Sequence, residues 1–320
     1  MKKLIVLLSG LLLVINCYSQ QEAKAICTNS EADIIPEGIA VNTTNGTIYV
    51  TSIARKKILA IDENGKCSDF IKSNKGGFLQ GLGIKVDEKK HWLWVVSNEK
   101  QGIHYISKIH AFDIRTNKVK QQYSLEDTTR HLFNDLTLDT SGKIYVTDTY
   151  GSSVYEVDPS TRQFHLFISD SLIAFPNGIA SNNKGKIYIA TYSHGLMQLD
   201  LASKTLAHVK GYTDSVKVFS LDGILYYHNT IIGVYNGAEN NSNNAIVQYT
   251  LNSEGDKIIN ERTIDMGNRY FHEPTTVGIS RNRIYVVANS YLAAFNANKE
   301  SVEGIKDKLG PVVVLVYDMK

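Results

Sequence analysis

The hydrophobic positions of this chain follow a two-residue period through most of its length. Segments such as Ile144-Tyr145-Val146-Thr147 and Ile187-Tyr188-Ile189-Ala190 alternate or run continuously apolar, and each follows a turn sequence, Ser141-Gly142 or Lys184-Gly185. Short runs rich in β-branched and aromatic residues between such turns predict β-strands. Because no segment of useful length carries the 3.6-residue period of a helix, the pattern predicts an all-β protein.

One phrase recurs six times along the chain. Each copy begins with a polar residue, continues with a turn-forming or small residue, and then enters an apolar alternation. The copies begin at Glu37, Gln80, Asn134, Asn177, Asp222 and Glu273. They are roughly 40 to 55 residues apart, and further strand-like runs follow each one. Four antiparallel strands per repeat of this length are typical of a β-propeller, so the repeats predict six blades.

The last repeat lacks a fourth strand of its own. The run from Val312 to Tyr317 supplies its third strand, and the segment from Ala23 to Thr28 can supply the fourth. N- and C-terminal strands that close the last blade leave no open sheet edge at the join. We therefore expect a single six-bladed propeller domain over residues 21–320. The alternative is a β-sandwich pair or two smaller domains, but no linker rich in Pro, Ser and Gly divides the chain.

Residues 1–20 have the pattern of a secretory signal peptide. Lys2 and Lys3 precede an apolar run from Leu4 to Ile15, which is too short for a membrane span of roughly 20 residues. The prediction is an exported protein, periplasmic or secreted, without a membrane span. Cys17 raises a second possibility, a lipid anchor, although Val14-Ile15-Asn16 lacks the small residues that such a cleavage site prefers.

Composition narrows the classes of partner. The formal net charge is +2, and no lysine or arginine cluster is interleaved with aromatic residues, so neither nucleic acid nor an anionic membrane is an expected partner. No group of Cys and His residues has the spacing of a zinc site. Cys27 and Cys67 remain once the signal peptide is removed, and they are equally consistent with a disulfide and with two free thiols.

The six phrase openings are the candidate functional residues. The first strand of each propeller blade lines the central channel, and every opening residue carries a side-chain oxygen. If the six positions are equivalent, their oxygens converge on one axis. Oxygen ligands select hard cations, and calcium takes 6–8 of them. We therefore expect calcium, with Mg, Mn or Zn as alternative divalent cations. The alternative is a polar channel mouth that serves only solubility.

Four of these phrases resemble the metal-site motifs of one family. Pro36-Glu37-Gly38, Phe133-Asn134-Asp135, Pro176-Asn177-Gly178 and Leu221-Asp222-Gly223 are similar to motifs of the family of senescence marker protein, gluconolactonase and luciferin-regenerating enzyme. The resemblance covers nearly the whole mature chain. It implies that Glu37, Asn177 and Asp222 hold the metal, that Asn134 lies beside it, and that Asp222 is the catalytic general base.

The chain also departs from this family. Gluconolactonases usually carry an arginine two residues before the Asn-Asp phrase, where this chain has Leu132. The difference makes a sugar-acid lactone a poor candidate substrate. Asp135 matches a second-metal aspartate of the related paraoxonases, but Gly38 and Gly223 replace other ligands of that two-metal site.

The resemblance implies hydrolysis of a small-molecule lactone or similar ester, and we expect the protein to be a monomer. The metal would polarise the carbonyl group, and water activated by the metal or by Asp222 would attack it. Two alternatives are a non-catalytic binding propeller with a structural calcium, and a strictosidine synthase-like condensing site that uses Glu273. Further candidate substrate contacts are Gln80, Asp135, Glu273, His272 and Tyr192. The long segment from Asn289 to Gly310 is expected to form a lid over the mouth.

Overall fold

The computed structural model describes residues 22–212, 221–236 and 241–319. These residues form six four-stranded antiparallel sheets, each built from neighbouring strands of the chain except at the closure. The prediction of an all-β, six-bladed propeller is confirmed. The signal-peptide prediction for residues 1–20 and the lipid-anchor alternative at Cys17 lie outside the described residues.

The strands are assigned to blades in chain order. Blade 1 contains β2 Pro36–Val41, β3 Ile48–Ser52, β4 Ile58–Ile61 and β5 Cys67–Ile71. Blade 2 contains β6 Gln80–Asp87, β7 Trp92–Gln101, β8 His104–Asp113 and β9 Val119–Asp127. Blade 3 contains β10 Phe133–Leu138, β11 Ile144–Asp148, β12 Ser153–Asp158 and β13 Gln163–Ser169.

The remaining blades follow the same order. Blade 4 contains β14 Pro176–Ser181, β15 Lys186–Thr191, β16 Gly195–Asp200 and β17 Leu206–His208. Blade 5 contains β18 Leu221–Tyr227, β19 Thr230–Tyr235, β20 Ala245–Leu251 and β21 Ile258–Met266. Blade 6 contains β22 Val277–Ser280, β23 Arg283–Val287, β24 Val313–Asp318 and β1 Lys24–Cys27.

Helical structure is confined to short segments between strands. The α-helix α1 spans Leu292–Ala297, and single 3-10 turns span Ala32–Ile34, Lys75–Gly77, Ser171–Ile173, Asn241–Asn243 and Lys306–Lys308. In the described part of the chain, no helix has the length and apolar character that a membrane crossing requires.

The two ends of the chain close blade 6 together. The N-terminal strand β1 pairs antiparallel with β24, with Ala25 opposite Leu315 and Cys27 opposite Val313. This confirms the prediction that a strand near the N-terminus completes the last blade. The side chain of Arg281 adds a tie between blades, because its guanidinium donates to the backbone carbonyl oxygens of Thr43 and Thr44 in blade 1.

The core consists of the apolar layers between neighbouring blades. In β11, Ile144 and Val146 pack in one layer with residues of blade 2, whereas Tyr145 between them packs in the opposite layer with residues of blade 4. Both faces of the strand are therefore buried, which explains why the second-strand runs are continuously apolar. Each fully buried Val or Ile side chain contributes about 1.5–3 kcal/mol.

The two cysteines lie on the outer strands of adjacent blades. Cys27 ends β1 in blade 6 and is exposed, and Cys67 begins β5 in blade 1 and is half-buried. Both are free thiols in this structure. Of the two alternatives that the sequence leaves open, the structure therefore has the free thiols.

Candidate metal centre and channel mouth

A shared irregularity near the start of the inner strands creates the site. The strand pairing shifts register in β2, β6, β10, β14 and β18, always between the first pairs of the strand. A β-bulge of this kind locally redirects side chains. The residues at the shift in these five strands are Glu37, Leu82, Asn134, Asn177 and Asp222.

The strand pairing corrects the predicted equivalence of the six phrase openings. Ile84 pairs with Val95 as Ile39 pairs with Val50, so the counterpart of Glu37 in blade 2 is Leu82 and not Gln80. In blade 6, by the same count from the pair Val277 and Val286, the counterpart is Thr275 and not Glu273. The prediction of six equivalent opening residues was wrong for these two blades. The equivalent positions hold four carboxylate or amide side chains, one leucine and one threonine.

Glycine at the next position allows the inner strands to approach closely. A Cβ atom on Gly38 would lie 2.2 Å from the carbonyl oxygen of Leu82, and one on Gly223 would lie 2.6 Å from that of Thr275. Such distances exclude any larger residue without movement of the backbone. At the join between blades 6 and 1, the hydroxyl groups of Thr275 and Thr276 donate instead to the carbonyl oxygen of Glu37, at 2.7 and 2.6 Å.

The four polar side chains of this ring are all buried. Glu37, Asn134, Asn177 and Asp222 have exposed fractions of 3%, 9%, 3% and 2%. Each of the two amide nitrogens is engaged by a hydroxyl group. The Nδ2 of Asn177 donates to the hydroxyl of Tyr192 at 3.2 Å, and the Nδ2 of Asn134 donates to the hydroxyl of Thr149 at 3.2 Å. The amide groups therefore offer oxygen, rather than nitrogen, to a ligand.

Two buried oxygens in this ring have no partner. Oδ1 of Asn177 and Oδ1 of Asp222 are inaccessible to solvent and accept no hydrogen bond within the structure. Glu37 accepts one bond, from the hydroxyl of Ser290 at 3.4 Å. No lysine, arginine or histidine in the described ranges forms an ion pair with Glu37 or Asp222. An unsatisfied buried polar atom in a folded protein requires an explanation, such as a bound ion.

The two buried carboxyl groups destabilise each other's charged forms. Burial, followed by repulsion from Asp222 and Glu273, raises the pKa of Glu37 well above its ordinary value. Burial also raises the pKa of Asp222, although a hydrogen bond from Asn236 opposes the increase. Two carboxylates that share a site cannot both ionise at ordinary pH without a compensating positive charge.

Asn236 is a member of the site that sequence reasoning missed. Its Nδ2 donates to Oδ2 of Asp222 and, at 2.9 Å, to the backbone carbonyl oxygen of Pro274. These bonds fix the Asp222 carboxylate and leave Oδ1 as its free oxygen. Asn236 directly follows β19, at the same end of its blade as Thr149 and Tyr192 in blades 3 and 4. The only available signal was therefore the position directly after a second strand.

Asp135 supports the blades rather than facing the shared space. Its carboxylate accepts hydrogen bonds from the backbone N–H groups of Leu136, at 2.9 Å, and Ile179, at 3.3 Å. It also pairs with the ammonium group of Lys85 at 3.2 Å. Asp135 therefore ties the inner strands of blades 2, 3 and 4 together. Its oxygens already have protein partners, and nothing in this arrangement resembles a second metal site.

Gln80 and Glu273 hold the segment that covers the mouth. The carboxylate of Glu273 accepts hydrogen bonds from the backbone N–H of Ala293, at 2.8 and 3.1 Å, at the start of α1. The Nε2 of Gln80 donates to Glu300 at 3.3 Å. The predicted substrate contacts are thus lid anchors in this structure. Because the Glu273 carboxylate is engaged in this way, the strictosidine synthase-like alternative has no free acid/base group there.

The other two predicted substrate contacts differ in position. His272 is exposed, and its ring stacks on Tyr291 with the centroids 5.3 Å apart. His272 therefore packs against the lid segment through Tyr291. Tyr192 lies at the mouth, with its ring 41% exposed and its hydroxyl bonded to Asn177. Burial of that hydroxyl, together with the nearby Asp222 and Glu37 carboxyl groups, raises the pKa of Tyr192 well above its ordinary value.

The segment after β23 forms a lid, in agreement with its prediction from length. Phe295, Ile305 and Leu309 of this segment are buried in the same apolar cluster as residues of blades 2 and 3. Beneath the lid is a cavity of about 220 Å³. Its polar lining comes from Glu37, Gln80, Asn98, Asn134, Thr149, Asn177, Asn296 and Glu300, and its remaining lining from Ile53, Leu82, Leu132, Tyr150, Tyr192, Leu292 and Phe295.

The donor set fits a hard divalent cation. Two carboxylates and two amide oxygens are ligands that calcium takes, whereas they lack the nitrogen and sulfur donors typical of zinc. The unpartnered oxygens of Asn177 and Asp222 supply the structural reason for an ion there. In the ranges that the structure describes, no three His, Cys, Asp or Glu side chains converge on a possible metal position, so the amides are necessary to this assignment.

Comparison with known families agrees with these motifs. Residues 35–223, more than half of the 320-residue chain, match the SMP-30/Gluconolactonase/LRE-like region. The chain belongs to the SMP-30/gluconolactonase/LRE-like family. The matched segment contains Glu37, Asn134, Asn177 and Asp222. A sequence search of curated proteins finds no match.

Solved structures place this SMP-30/gluconolactonase/LRE-like protein among propellers of similar fold. It is similar to a gluconolactonase of Xanthomonas campestris with a TM-score of 0.61 and 13% identity, over 92% of this chain and 89% of that one. It is also similar to a calcium-binding regucalcin of Agrobacterium tumefaciens, with a TM-score of 0.57 and 14% identity, over 90% and 92% of the two chains.

A third structure shows that the fold alone does not determine the chemistry. The virginiamycin B lyase of Staphylococcus aureus is similar with a TM-score of 0.57 and 13% identity, over 83% of this chain and 82% of that one. One fold can carry unrelated activities, so function must be inferred from the residues at the mouth.

Proposed function

We propose that this protein is an exported, metal-dependent hydrolase of a lactone or similar small ester. The observation that carries the proposal is the pair of buried oxygens without partners, Oδ1 of Asn177 and Oδ1 of Asp222, beside the buried Glu37 carboxylate. Burial of unpaired carboxylates costs several kcal/mol unless a positive charge compensates them. Membership of the SMP-30/gluconolactonase/LRE-like family supports the same conclusion.

Glu37, Asn177 and Asp222 are the proposed ligands of the cation, with Asn134 beside it. We expect calcium, and Mg, Mn or Zn are the alternatives to be tested. Such a cation supplies Lewis-acid polarisation of an ester carbonyl group. The hydrogen bonds to Thr149 and Tyr192 engage the amide nitrogens of the two asparagines and leave the amide oxygens for the cation.

Asp222 is the proposed general base. Asn236 holds its carboxylate through Oδ2, so Oδ1 is the oxygen that would bind the cation, and the remaining lone pair of Oδ1 is the one that would accept a proton from the attacking water. The lid limits the access of other water molecules, because Phe295 and Leu292 line the cavity above the polar residues. The overall reaction consumes one water and converts the ester to a carboxylic acid and an alcohol, or the lactone to a hydroxy acid.

A chelation experiment tests the proposal. The mature protein is treated with a chelator, dialysed, and assayed on a panel of lactones and aryl esters before and after the addition of Ca²⁺, Mg²⁺, Mn²⁺ or Zn²⁺. We expect turnover to vanish on chelation and to return with Ca²⁺. Turnover that is indifferent to the chelator would contradict the assignment of the metal to catalysis.

The second candidate function is a non-catalytic propeller that binds a ligand at the mouth around a structural calcium. The same cavity and the same unpartnered oxygens support it, because both functions require the cation. The two are separated by the assay above. A cation-dependent increase in melting temperature without turnover of any ester in the panel would favour the binding module.

Export is proposed from the sequence of residues 1–20 alone. Expression of the full chain and of a chain that lacks these residues, followed by fractionation of the cells, tests it. We expect only the full chain to leave the cytoplasm and to lose its first residues.

A further inference from the structure

In the part of the chain that the structure describes, the exposed aromatic side chains are concentrated at one place. Among the described residues, the exposed Phe, Tyr and Trp side chains are Tyr150, Phe175 and Tyr192, with exposed fractions of 41%, 51% and 41%. We call these three residues the aromatic rim. Single exposed hydrophobic residues are ordinary, but a contiguous group beside a cavity indicates a binding surface.

The rim residues are neighbours on blades 3 and 4. The backbone N–H of Tyr192 donates to the carbonyl oxygen of Phe175 at 3.3 Å, and Thr149, which precedes Tyr150, donates to the carbonyl oxygen of Pro176 at 2.7 Å. Tyr150 and Tyr192 also line the cavity. The rim is therefore a continuation of the cavity wall toward solvent, and a ligand in the cavity can extend over it.

Part of the cavity lining is hydrocarbon. Ile53, Leu82, Leu132, Leu292 and Phe295 contribute it, and we call these five residues the apolar wall. Leu82 occupies the ring position that is Glu37 in blade 1 and Asp222 in blade 5, so the apolar wall includes one position of the ring that would hold the cation. A ligand that fills the cavity therefore contacts hydrocarbon as well as the polar side chains.

Charge in the cavity favours a neutral ligand. None of the described side chains that line it is a lysine, arginine or histidine, whereas Glu37 and Glu300 are carboxylates. With Asp222 these groups make three carboxylates, so a divalent cation leaves one negative charge uncompensated when all three are ionised. The Arg130 guanidinium lies over the Tyr150 ring, 3.7 Å from its centroid, so positive charge is present at the rim but not in the cavity lining, and an anionic head group gains no net attraction inside the cavity.

We propose that the mouth selects neutral lactones or esters that carry an aryl or alkyl arm, with the ester group in the cavity and the arm on the aromatic rim. This inference rests on the proposed hydrolytic function and adds its substrate class. A polyhydroxylated sugar lactone would lose roughly tenfold in affinity for each hydroxyl group that meets the apolar wall and not one of the polar lining side chains. The cavity of about 220 Å³ lies below the roughly 300–1,000 Å³ of pockets that enclose drug-sized ligands, so a long arm extends from the cavity onto the rim.

Three lactones that share one six-membered ring test the selection. They are δ-valerolactone, its pentyl-substituted analogue, and D-glucono-δ-lactone, each assayed with the Ca²⁺-loaded full mature protein. Each methylene group that the rim removes from water contributes roughly fourfold. We therefore expect kcat/KM for the pentyl lactone to exceed that for valerolactone by about tenfold or more, with gluconolactone the poorest of the three.

Rim variants assign the preference to these residues. Phe175→Asn suits a position with a φ of 51°, because Asn tolerates the left-handed region, and Tyr150→Asn removes the neighbouring ring. The matched control is Leu166→Asn, which replaces an equally exposed hydrophobic residue on the outer strand of blade 3. We expect both rim variants to raise KM for the pentyl lactone about tenfold. Phe175→Asn, at a position that does not line the cavity, should leave valerolactone turnover unchanged, and we expect no effect of the control variant.

A binding measurement separates the substrate class from hydrolysis. The pentyl-substituted δ-valerolactam resists hydrolysis, and its Kd is measured by calorimetry for the original chain and the rim variants. Rim-dependent lactam binding without turnover of any lactone would support the ligand class and contradict the proposed hydrolase. Faster turnover of gluconolactone than of the pentyl lactone would overturn the ligand class and leave the hydrolase intact. Rim variants that match Leu166→Asn would also overturn it.

Discussion

Two aspartates, Asp148 in blade 3 and Asp222 in blade 5, are both buried, but they differ in whether both carboxylate oxygens have hydrogen-bond partners. Asp148 is 0% exposed, and its oxygens accept from Nδ1 of His131 at 2.6 Å and from the backbone N–H of Leu132 at 2.9 Å. Asp222 is 2% exposed, and its Oδ1 has no partner. Asp148 therefore completes the fold, whereas Asp222 leaves an oxygen available to a ligand.

The largest expected effect is the loss of turnover on substitution of Asp222, the aspartate with an unpartnered oxygen. Asp222→Asn removes the proposed base and one charge from the cation site, so we expect turnover to fall about a thousandfold or more. The increase in melting temperature that Ca²⁺ produces should vanish with it. The matched control is Asp265→Asn, because Asp265 is also buried but its Oδ2 is bonded to Tyr317 at 2.8 Å on the outer part of blade 5. If Asp222→Asn kept the Ca²⁺-induced increase in melting temperature, the assignment of Asp222 to the cation site would be wrong.

Substitution of Asp148, whose two carboxylate oxygens both have partners, should lower stability instead of turnover. Asp148→Asn leaves the partners His131 and Leu132 in place and removes the charge between them. We expect the free energy of unfolding to fall by about 3 kcal/mol, which is the usual scale for one broken buried charge pair. Urea unfolding of the Ca²⁺-loaded protein measures it. The Ca²⁺-induced shift in melting temperature should remain, and its loss would show that Asp148 is coupled to the mouth.

The partner of Asp148 gives a pH-dependent test. The Asp148 carboxylate, with Asp127 as a weaker neighbour, raises the pKa of His131 above its ordinary value despite its burial. Charged His131 therefore stabilises the fold below pH ~6.5, and this contribution is lost as the pH rises through the raised pKa. We expect His131→Gln to lower the free energy of unfolding by about 1 kcal/mol more at pH 6 than at pH 9. An equal deficit at both values would contradict a charged pair.

The smallest effect is expected at the lid. Gln80→Ala removes the hydrogen bond to Glu300, which is partly solvated, so we expect a loss of less than about 1 kcal/mol in stability. KM should rise a few-fold because the lid closes less firmly over the cavity, while kcat should change little. Steady-state kinetics with the best lactone of the panel measures both. A large fall in kcat would instead place Gln80 among the catalytic groups.

Most of the fold could be predicted from the sequence because its signals are local and repeated. The second-strand runs, such as Ile144-Tyr145-Val146, have both faces buried, and turns with Gly precede several of them. The complementary runs near the two termini were enough to predict the closure of blade 6. The lid was predicted from its length alone.

The site was less predictable because it depends on strand register. The sequence Gln80-Gly81 resembles Glu37-Gly38, but the bulge in β6 makes Leu82 the counterpart of Glu37. Gly83 is the glycine that meets the next blade, since a Cβ on it would lie 2.8 Å from the carbonyl oxygen of Asn134. A motif cannot show which of two glycines is at the bulge. Asn236 lies outside every repeated phrase, and its only signal was its position directly after a second strand.

The shared strand arrangement of blade 6 has a consequence for how the protein is made. Because β24 lies between β23 and β1, the N-terminal strand Lys24–Cys27 has no partner until residue 318 has been synthesised. The ring cannot close on a nascent chain, and contacts between such distant residues make folding slow. The unfinished chain therefore exposes a strand edge and an apolar blade face throughout translation, and these are surfaces that a chaperone can hold open until the whole chain is released.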